Sequence, residues 1–145
     1  MTGRCITEIA RSWIGTPYLH QASLKQAGAD CLGLIRGVWR EEIATEPEEI
    51  PAYTQDWSEA AMREDLLAAA RRWLVETPIG HETEGDVLLF RMRENAVAKH
   101  LGILSQTGQT ASFIHAYSGH GVVETRLTDP WRRKIVARFQ FPKGA

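Results

Sequence analysis

The sequence predicts an α+β fold in which N-terminal helices pack on a small antiparallel sheet of about five strands. Two observations lead there. Apolar residues recur at helical spacing from Ile6 to Leu74, and short β-prone runs separated by turn residues fill the rest of the chain. Helices first and strands afterwards is a segregated order, not the alternation of a βαβ fold. A length of 145 residues suits one domain, read as 1–145, with a core that needs no staple.

The first helix is read from Ile6, Ile9, Ala10 and Trp13, at i, i+3, i+4 and i+7, with Gly15 able to end it. Thr16-Pro17-Tyr18 opens an irregular stretch. A second helix starts at Asp30 and carries Cys31, Leu34, Ile35, Val38 and Trp39 on one face. Gly33 and Gly37 are poor helix formers there, so each is expected to admit another element closely. Residues 41–56 read as a loop with five glutamates between Glu41 and Glu49, a solvated segment or a contact for an assembly partner. Asp56 and Glu59 have capping-box spacing. Leu66, Leu67, Ala70, Trp73 and Leu74 mark a third helix ending before Pro78, with Trp57 and Trp73 expected in the core. The strand-like runs are 86–91, 99–106, 109–116, 121–125 and 135–141.

Composition excludes several classes. Seventeen basic against eighteen acidic residues give a net charge of -1, so nothing marks a nucleic-acid partner. Trp131-Arg132-Arg133-Lys134 is a basic spot too short to change that, suited at most to an anionic glycan or a neighbouring protein. Two cysteines cannot form a disulfide framework. No apolar run approaches the length of a membrane span, so membrane insertion is not expected. The N-terminus lacks a signal-peptide core, and export is expected to use another route.

Cys31 carries the strongest chemical signal. Asp30 is a good N-cap, which puts Cys31 at the first helical position. Unpaired N–H groups and the macrodipole favour an anion there, and thiolate is the nucleophile. The backbone N–H of Cys31 would be free for an oxyanion. Cys5, inside the first helix, reads as structural.

A nucleophilic cysteine needs a base and an orienting group. A hairpin turning at Thr107-Gly108 pairs residues whose numbers add to 215, and His100 and His115 satisfy that sum. They would lie opposite each other on one face, with Gly102, Leu104, Ala111 and Phe113. Leu101, Ile103, Ser112 and Ile114 would take the other. Cys31 would then attack a carbonyl, His100 would take and return the proton, and His115 would hold the far nitrogen of His100. The same three residues could instead hold zinc. An acyltransferase is a further reading. No cofactor is expected.

Gly15-Thr16-Pro17-Tyr18, Asp30-Cys31-Leu32-Gly33-Leu34, Gly85-Asp86-Val87-Leu88-Leu89-Phe90, His100-Leu101-Gly102-Ile103 and Ile114-His115-Ala116 together make the chain resemble the NlpC-type cysteine peptidases. These are papain-like enzymes that hydrolyse bacterial cell-wall peptides. The resemblance spans about residues 5 to 125 and implies the papain-like NlpC fold. It implies Cys31 as nucleophile, His100 as base and His115 as third polar residue, with no metal. It also implies that Tyr18 shapes the oxyanion region and that Asp30 contacts the free amino end of a peptidoglycan stem peptide. The bond usually cut is the γ-D-glutamyl–diaminopimelate amide. Leu32 departs from the small hydroxyl residue many members carry, which bears on subsite preference.

Pro51-Ala52-Tyr53 through Asp56-Trp57, with the Cys31-to-Arg40 segment, look closest to the phage and gene-transfer-agent branch. That similarity implies a chain made in the bacterial cytoplasm and assembled with tail hub or tail-tip proteins into a virion-like tail, with a catalytically idle tail component of peptidase fold as the alternative reading. His20 could line a substrate groove or be a solvated loop residue, His120 reads as a turn residue, and His81 has no evident partner.

Overall fold

The computed structural model describes residues 3–43 and 65–142. The glutamate-rich loop beyond position 43, the Asp56/Glu59 cap, Trp57 and the Pro51–Trp57 stretch lie outside the described residues.

Helix α1 (Gly3–Ser12) precedes a two-stranded ribbon, β1 (Ser23–Leu24) with β2 (Gly28–Ala29), and α2 (Cys31–Glu42) comes directly after it. Helix α2 runs into the segment expected to be loop, through Glu42. Helix α3 (Asp65–Trp73) leads into β3 (Val75–Thr77), and then come β4 (Val87–Phe90), β5 (His100–Gln106), β6 (Ser112–Tyr117), β7 (Gly121–Arg126), the short α4 (Asp129–Arg132) and β8 (Ile135–Gln140). The sheet is antiparallel in the order β3-β8-β4-β5-β6-β7, six strands instead of about five. The additional strand, β3, lies where the third helix was expected to end. Val75, Glu76 and Thr77 pair with Gln140, Phe139 and Arg138, so cross-strand pairing overrides the helical pattern.

The central strands β4, β5 and β6 are buried on both faces. Ile6, Ala10, Trp13, Leu34, Ile35 and Val38 from the helices pack against Val87, Leu89, Leu101, Ile103, Ile114 and Phe139. The opposite face carries Leu88, Phe90, Leu104, Ala111, Phe113 and Leu127, with Trp131 packed on them. Val87–Phe90 is apolar throughout because β4 sits inside the sheet and points residues into both layers. Trp73, expected in the core, is half-buried, and Cys5 is exposed on α1. Among the described residues no helix is long and apolar enough to cross a membrane.

Gly33 and Gly37 do admit close neighbours. A Cβ on Gly33 would stand 1.9 Å from the Ala22 carbonyl oxygen, and one on Gly37 would stand 2.1 Å from the Trp13 ring. The first glycine lets the 16–30 segment press against the start of α2. The second lets α1 and α2 meet. Together they set where the first turn of α2 lies above the sheet.

The hairpin register departs from expectation. Ile103 pairs with Ile114 and Leu104 with Phe113, numbers that add to 217, and a shift occurs before Gln106 and Ser112. The tip is not a two-residue turn but a short 3-10 helix, Gly108–Thr110. The offset is two residues, an even number, so every side chain stays on its expected face.

Candidate active site

Asp30 has extended backbone geometry (φ -99°, ψ -173°) and caps α2 as its sequence position predicts. The Gly33 N–H donates to Asp30 Oδ1 at 2.8 Å, and the Gln21 N–H donates to Oδ2 at 2.8 Å. This buried carboxylate thus ties the loop to the helix start. His20 is half-buried, with Nδ1 3.8 Å from Asp30 Oδ2, so it belongs to this corner. Tyr18 is placed by a parallel bridge to Ala29 and by the Ala29 N–H donating to the Pro17 carbonyl at 3.0 Å. Burial, then the negative charges of Cys31 and Asp30, push its phenol up to about 12, which keeps it a donor at neutral pH.

Cys31 is the first residue of α2 and is partly exposed. Its thiol donates to the Lys99 carbonyl at 3.6 Å, and the Leu101 N–H reaches the same sulfur. The sulfur therefore touches the chain on both sides of His100. Its acidity is opposite to the expectation from the helix terminus. Burial and then the adjacent Asp30 carboxylate push the thiol up to about 12, and the N–H groups of Leu101, Leu32 and Cys31 offset only part of that. The resting sulfur is S–H.

His100 and His115 do meet. His100 Nε2 lies 2.7 Å from His115 Nδ1, with ring centroids 5.0 Å apart and planes at 78°. They are diagonal neighbours, not directly opposite, because the register adds to 217. The vacant face of Gly102 makes room, since a Cβ there would stand 2.8 Å from Phe113 and 3.4 Å from His115 Cβ. His115 Nε2 lies 2.8 Å from Thr125 Oγ1 on β7. Phe113 packs on His115 at 4.3 Å between ring centroids, and Tyr117 stacks on it at 5.2 Å. Trp131 stands 5.3 Å from His115 and 5.9 Å from His100, while Phe90 is 5.7 Å from His100. This aromatic wall buries both rings. Burial first, and then the neighbouring imidazole, lowers His100 to about 3; burial and then His120 lower His115 to about 4.

Two nitrogens sharing a tetrahedral zinc at about 2.0–2.1 Å stand roughly 3.3 Å apart. The 2.7 Å separation here is that of a hydrogen bond between the rings. Among the described residues no three His, Cys, Asp or Glu side chains converge as an ion cage.

Sequence reasoning does not single out three contributors to the site: Thr125, Tyr117 and Trp131. Tyr117, two residues beyond His115, shares its face, and extending the register to β7 would have found Thr125. Trp131 falls in the basic spot of the sequence, yet its ring packs against the imidazoles. His120 is exposed and stacks on Tyr117, as suits a turn residue. His81 lines a separate cleft of about 210 Å³ near the hairpin tip, beside Glu82 and Arg132.

The sequence pattern of the NlpC/P60 family matches residues 15–139. The chain belongs to the NlpC/P60 family. The NlpC/P60 fold recurs in solved structures of low identity. An NlpC/P60 family protein from Bacillus cereus superposes with a TM-score of 0.67 at 16% identity, over 97% of this chain and 40% of that one. The NlpC/p60 domain of the peptidoglycan hydrolase SagA gives 0.64 at 20% identity, over 97% and 100%. A lipoprotein-like NLP/P60 family protein from Staphylococcus aureus gives 0.59 at 20% identity, over 95% and 40%. This NlpC/P60 chain thus spans 40% of the Bacillus and Staphylococcus proteins and the whole of the SagA domain. No curated protein sequence matches it.

Burial of the imidazoles makes folding pH-dependent in a stated direction. Below the ordinary histidine value of 6.5, the unfolded chain takes up protons that folded His100 and His115 refuse until about 3 and 4. Stability is therefore lost as pH falls from 6.5 towards 4, by about 1.4 kcal/mol per pH unit for each histidine well inside the window. At the alkaline end, an unfolded Cys31 ionises near 9.0 while the folded thiol holds its proton to about 12, so stability falls again above 9.0. Urea midpoints at pH 7 and pH 4.5 should differ accordingly, with a shallower slope for His115→Gln. Equal slopes for the two chains would contradict a buried neutral His115.

Proposed function

We propose that this chain is a cysteine peptidase that cleaves peptidoglycan stem peptides at the γ-D-glutamyl–diaminopimelate amide, acting as a single domain. Cys31 is the nucleophile, His100 the base, and His115 the group that orients His100. The proton on sulfur swings from the Lys99 carbonyl to His100 Nδ1 as sulfur attacks the amide carbonyl. Burial favours the neutral form of both the thiol and the imidazole, which suits a proton transfer made as sulfur attacks. The Cys31 N–H and the Tyr18 hydroxyl face the developing oxyanion. His100 then returns the proton to the departing diaminopimelate amine as the C–N bond breaks. Water adds to the thioester with His100 again as base, releasing the γ-carboxyl group and restoring S–H. Asp30, at the corner where the loop meets α2, supplies negative charge for the free amino end of the stem peptide.

The observation that carries this proposal is the 2.7 Å contact between the imidazoles, with the Cys31 thiol donating to the carbonyl of Lys99, the residue before His100. The biological setting we propose is a tail-tip component that opens the wall locally during DNA delivery by a phage or gene-transfer agent. It is supported by the similarity of the Cys31-to-Arg40 and Pro51-to-Trp57 segments to that branch.

Mass spectrometry of diaminopimelate-type peptidoglycan incubated with the purified protein tests the chemistry. Fragments ending at D-glutamate with a free γ-carboxyl group are expected. Intact muropeptides, alongside firm binding to tail proteins, would replace the peptidase with a structural tail subunit. Particles lacking the protein should attach normally and deliver DNA poorly, whereas equal delivery removes the tail role.

A further inference from the structure

Thr125 ends a line of hydrogen bonds that crosses three strands, from His100 on β5 through His115 on β6 to Thr125 on β7. Across β6 and β7, His115 pairs with Val123 and Phe113 with Thr125, so Thr125 is the diagonal neighbour of His115 on the same face. The His115 side chain is completely buried, whereas Thr125 is half-exposed. The Thr125 hydroxyl can therefore accept from the imidazole while donating to water.

We propose that Thr125 is a positioning residue that supplies the acceptor on which the productive protonation of the imidazole pair depends. The inference rests on the peptidase proposal for its catalytic consequence, but not for its chemistry. A neutral imidazole has one N–H. For His100 to take the Cys31 proton, its Nδ1 must be bare, so its own proton sits on Nε2 and points at His115 Nδ1. His115 Nδ1 must then be bare, which leaves the His115 proton on Nε2, facing Thr125 Oγ1. The reversed arrangement has His115 Nδ1–H donating to His100 Nε2. It leaves the His100 proton on Nδ1, where the ring cannot act as base towards sulfur.

The hydrogen bond between the rings is kept in both arrangements, so it cannot choose between them. The Thr125 hydroxyl can serve either arrangement, accepting from His115 Nε2–H in the productive one and donating to a bare Nε2 in the reversed one. Only the productive one depends on it. With an apolar residue at 125, the productive arrangement would strand an N–H without an acceptor, whereas the reversed one would leave only a bare ring nitrogen there. An unpaired donor is the costlier of the two, so loss of the hydroxyl tips the pair towards the reversed arrangement.

Thr125→Val keeps the branched shape of a strand residue and removes the hydroxyl, while Thr125→Ser keeps it. The 15N spectra of histidine-labelled protein without substrate should place the His115 proton on Nε2 in the wild type and in Thr125→Ser, and on Nδ1 in Thr125→Val. With stem-peptide substrate, kcat of Thr125→Val should fall about 10- to 100-fold at unchanged KM, with Thr125→Ser near wild type. Thr125→Ala replaces the valine variant if that chain does not fold.

A wild-type His115 protonated on Nδ1, or a proton that stays on Nε2 in Thr125→Val, overturns the proposal. So does a tautomer change that leaves kcat intact. Absence of turnover in the wild type would instead defeat the peptidase proposal, and the spectra would still decide the role of Thr125 in the pair.

Discussion

Exchange of Cys31 for alanine is expected to lower kcat/KM on stem peptides by about 10⁴ or more, with the fold intact. Cys5→Ala should leave activity unchanged, since Cys5 is exposed on α1 and far along the chain from the imidazole pair. His100→Ala should cost a similar factor, and the Cys31/His100 double variant should be no worse than either alone. Groups that act on one proton do not contribute independently. Single-turnover measurement of fragment release would read these ratios. Retention of turnover in Cys31→Ala would move the chemistry elsewhere in the molecule.

The largest expected effect on stability falls on Arg138. Arg138 on β8 donates from Nε to Asp86 Oδ2 and from Nη1 to the Pro78 carbonyl, the latter at 2.6 Å. Arg138 is 5% exposed and Asp86 2%. Asp86 also accepts from the Thr83 N–H at 2.7 Å and the Thr83 hydroxyl at 3.0 Å. Arg138→Ala would leave this buried carboxylate without its cation, a loss of about 3–5 kcal/mol. A domain of this size has only about 5–15 kcal/mol in total. The urea midpoint should drop sharply at unchanged slope, and an Asp86→Leu/Arg138→Met double variant should recover much of the loss. A midpoint unaffected by Arg138→Ala would mean that water or another cation already reaches Asp86.

These residues also show what local patterns convey. Helical spacing finds α1, α2 and α3 because each lays an apolar stripe on one core. The glycines at 33 and 37 announce close approach because a helix tolerates glycine poorly without reason. Matching the histidines through a two-residue turn assumes a tip the chain does not have. The actual tip is a 3-10 helix with a shift in pairing beside it, which periodicity does not encode. Alternation along each strand still keeps both rings on one face, because the error is an even number of residues. Strand β3 is hidden in the sequence because its three residues make sense only against β8. The acidity of the thiol is missed for a related reason: a helix terminus is visible locally, whereas burial by a distant strand is not. Thr125 is one of two threonines in the strand-like runs, and only the neighbouring strand distinguishes it.

The two halves of the site differ in how far apart their parts lie along the polypeptide. The imidazoles are 15 residues apart, within one hairpin, whereas the sulfur meets a carbonyl 68 residues downstream. Closing the longer loop costs about 1 kcal/mol more chain entropy and belongs to the slower, non-local phase of folding. Proton-handling machinery thus forms from close neighbours, and the sulfur joins when α2 docks. A newborn or partly opened chain would hold paired rings without a seated thiol, so loss of activity on mild destabilisation should precede loss of the hairpin, an order that amide hydrogen exchange along α2 and β5 would record.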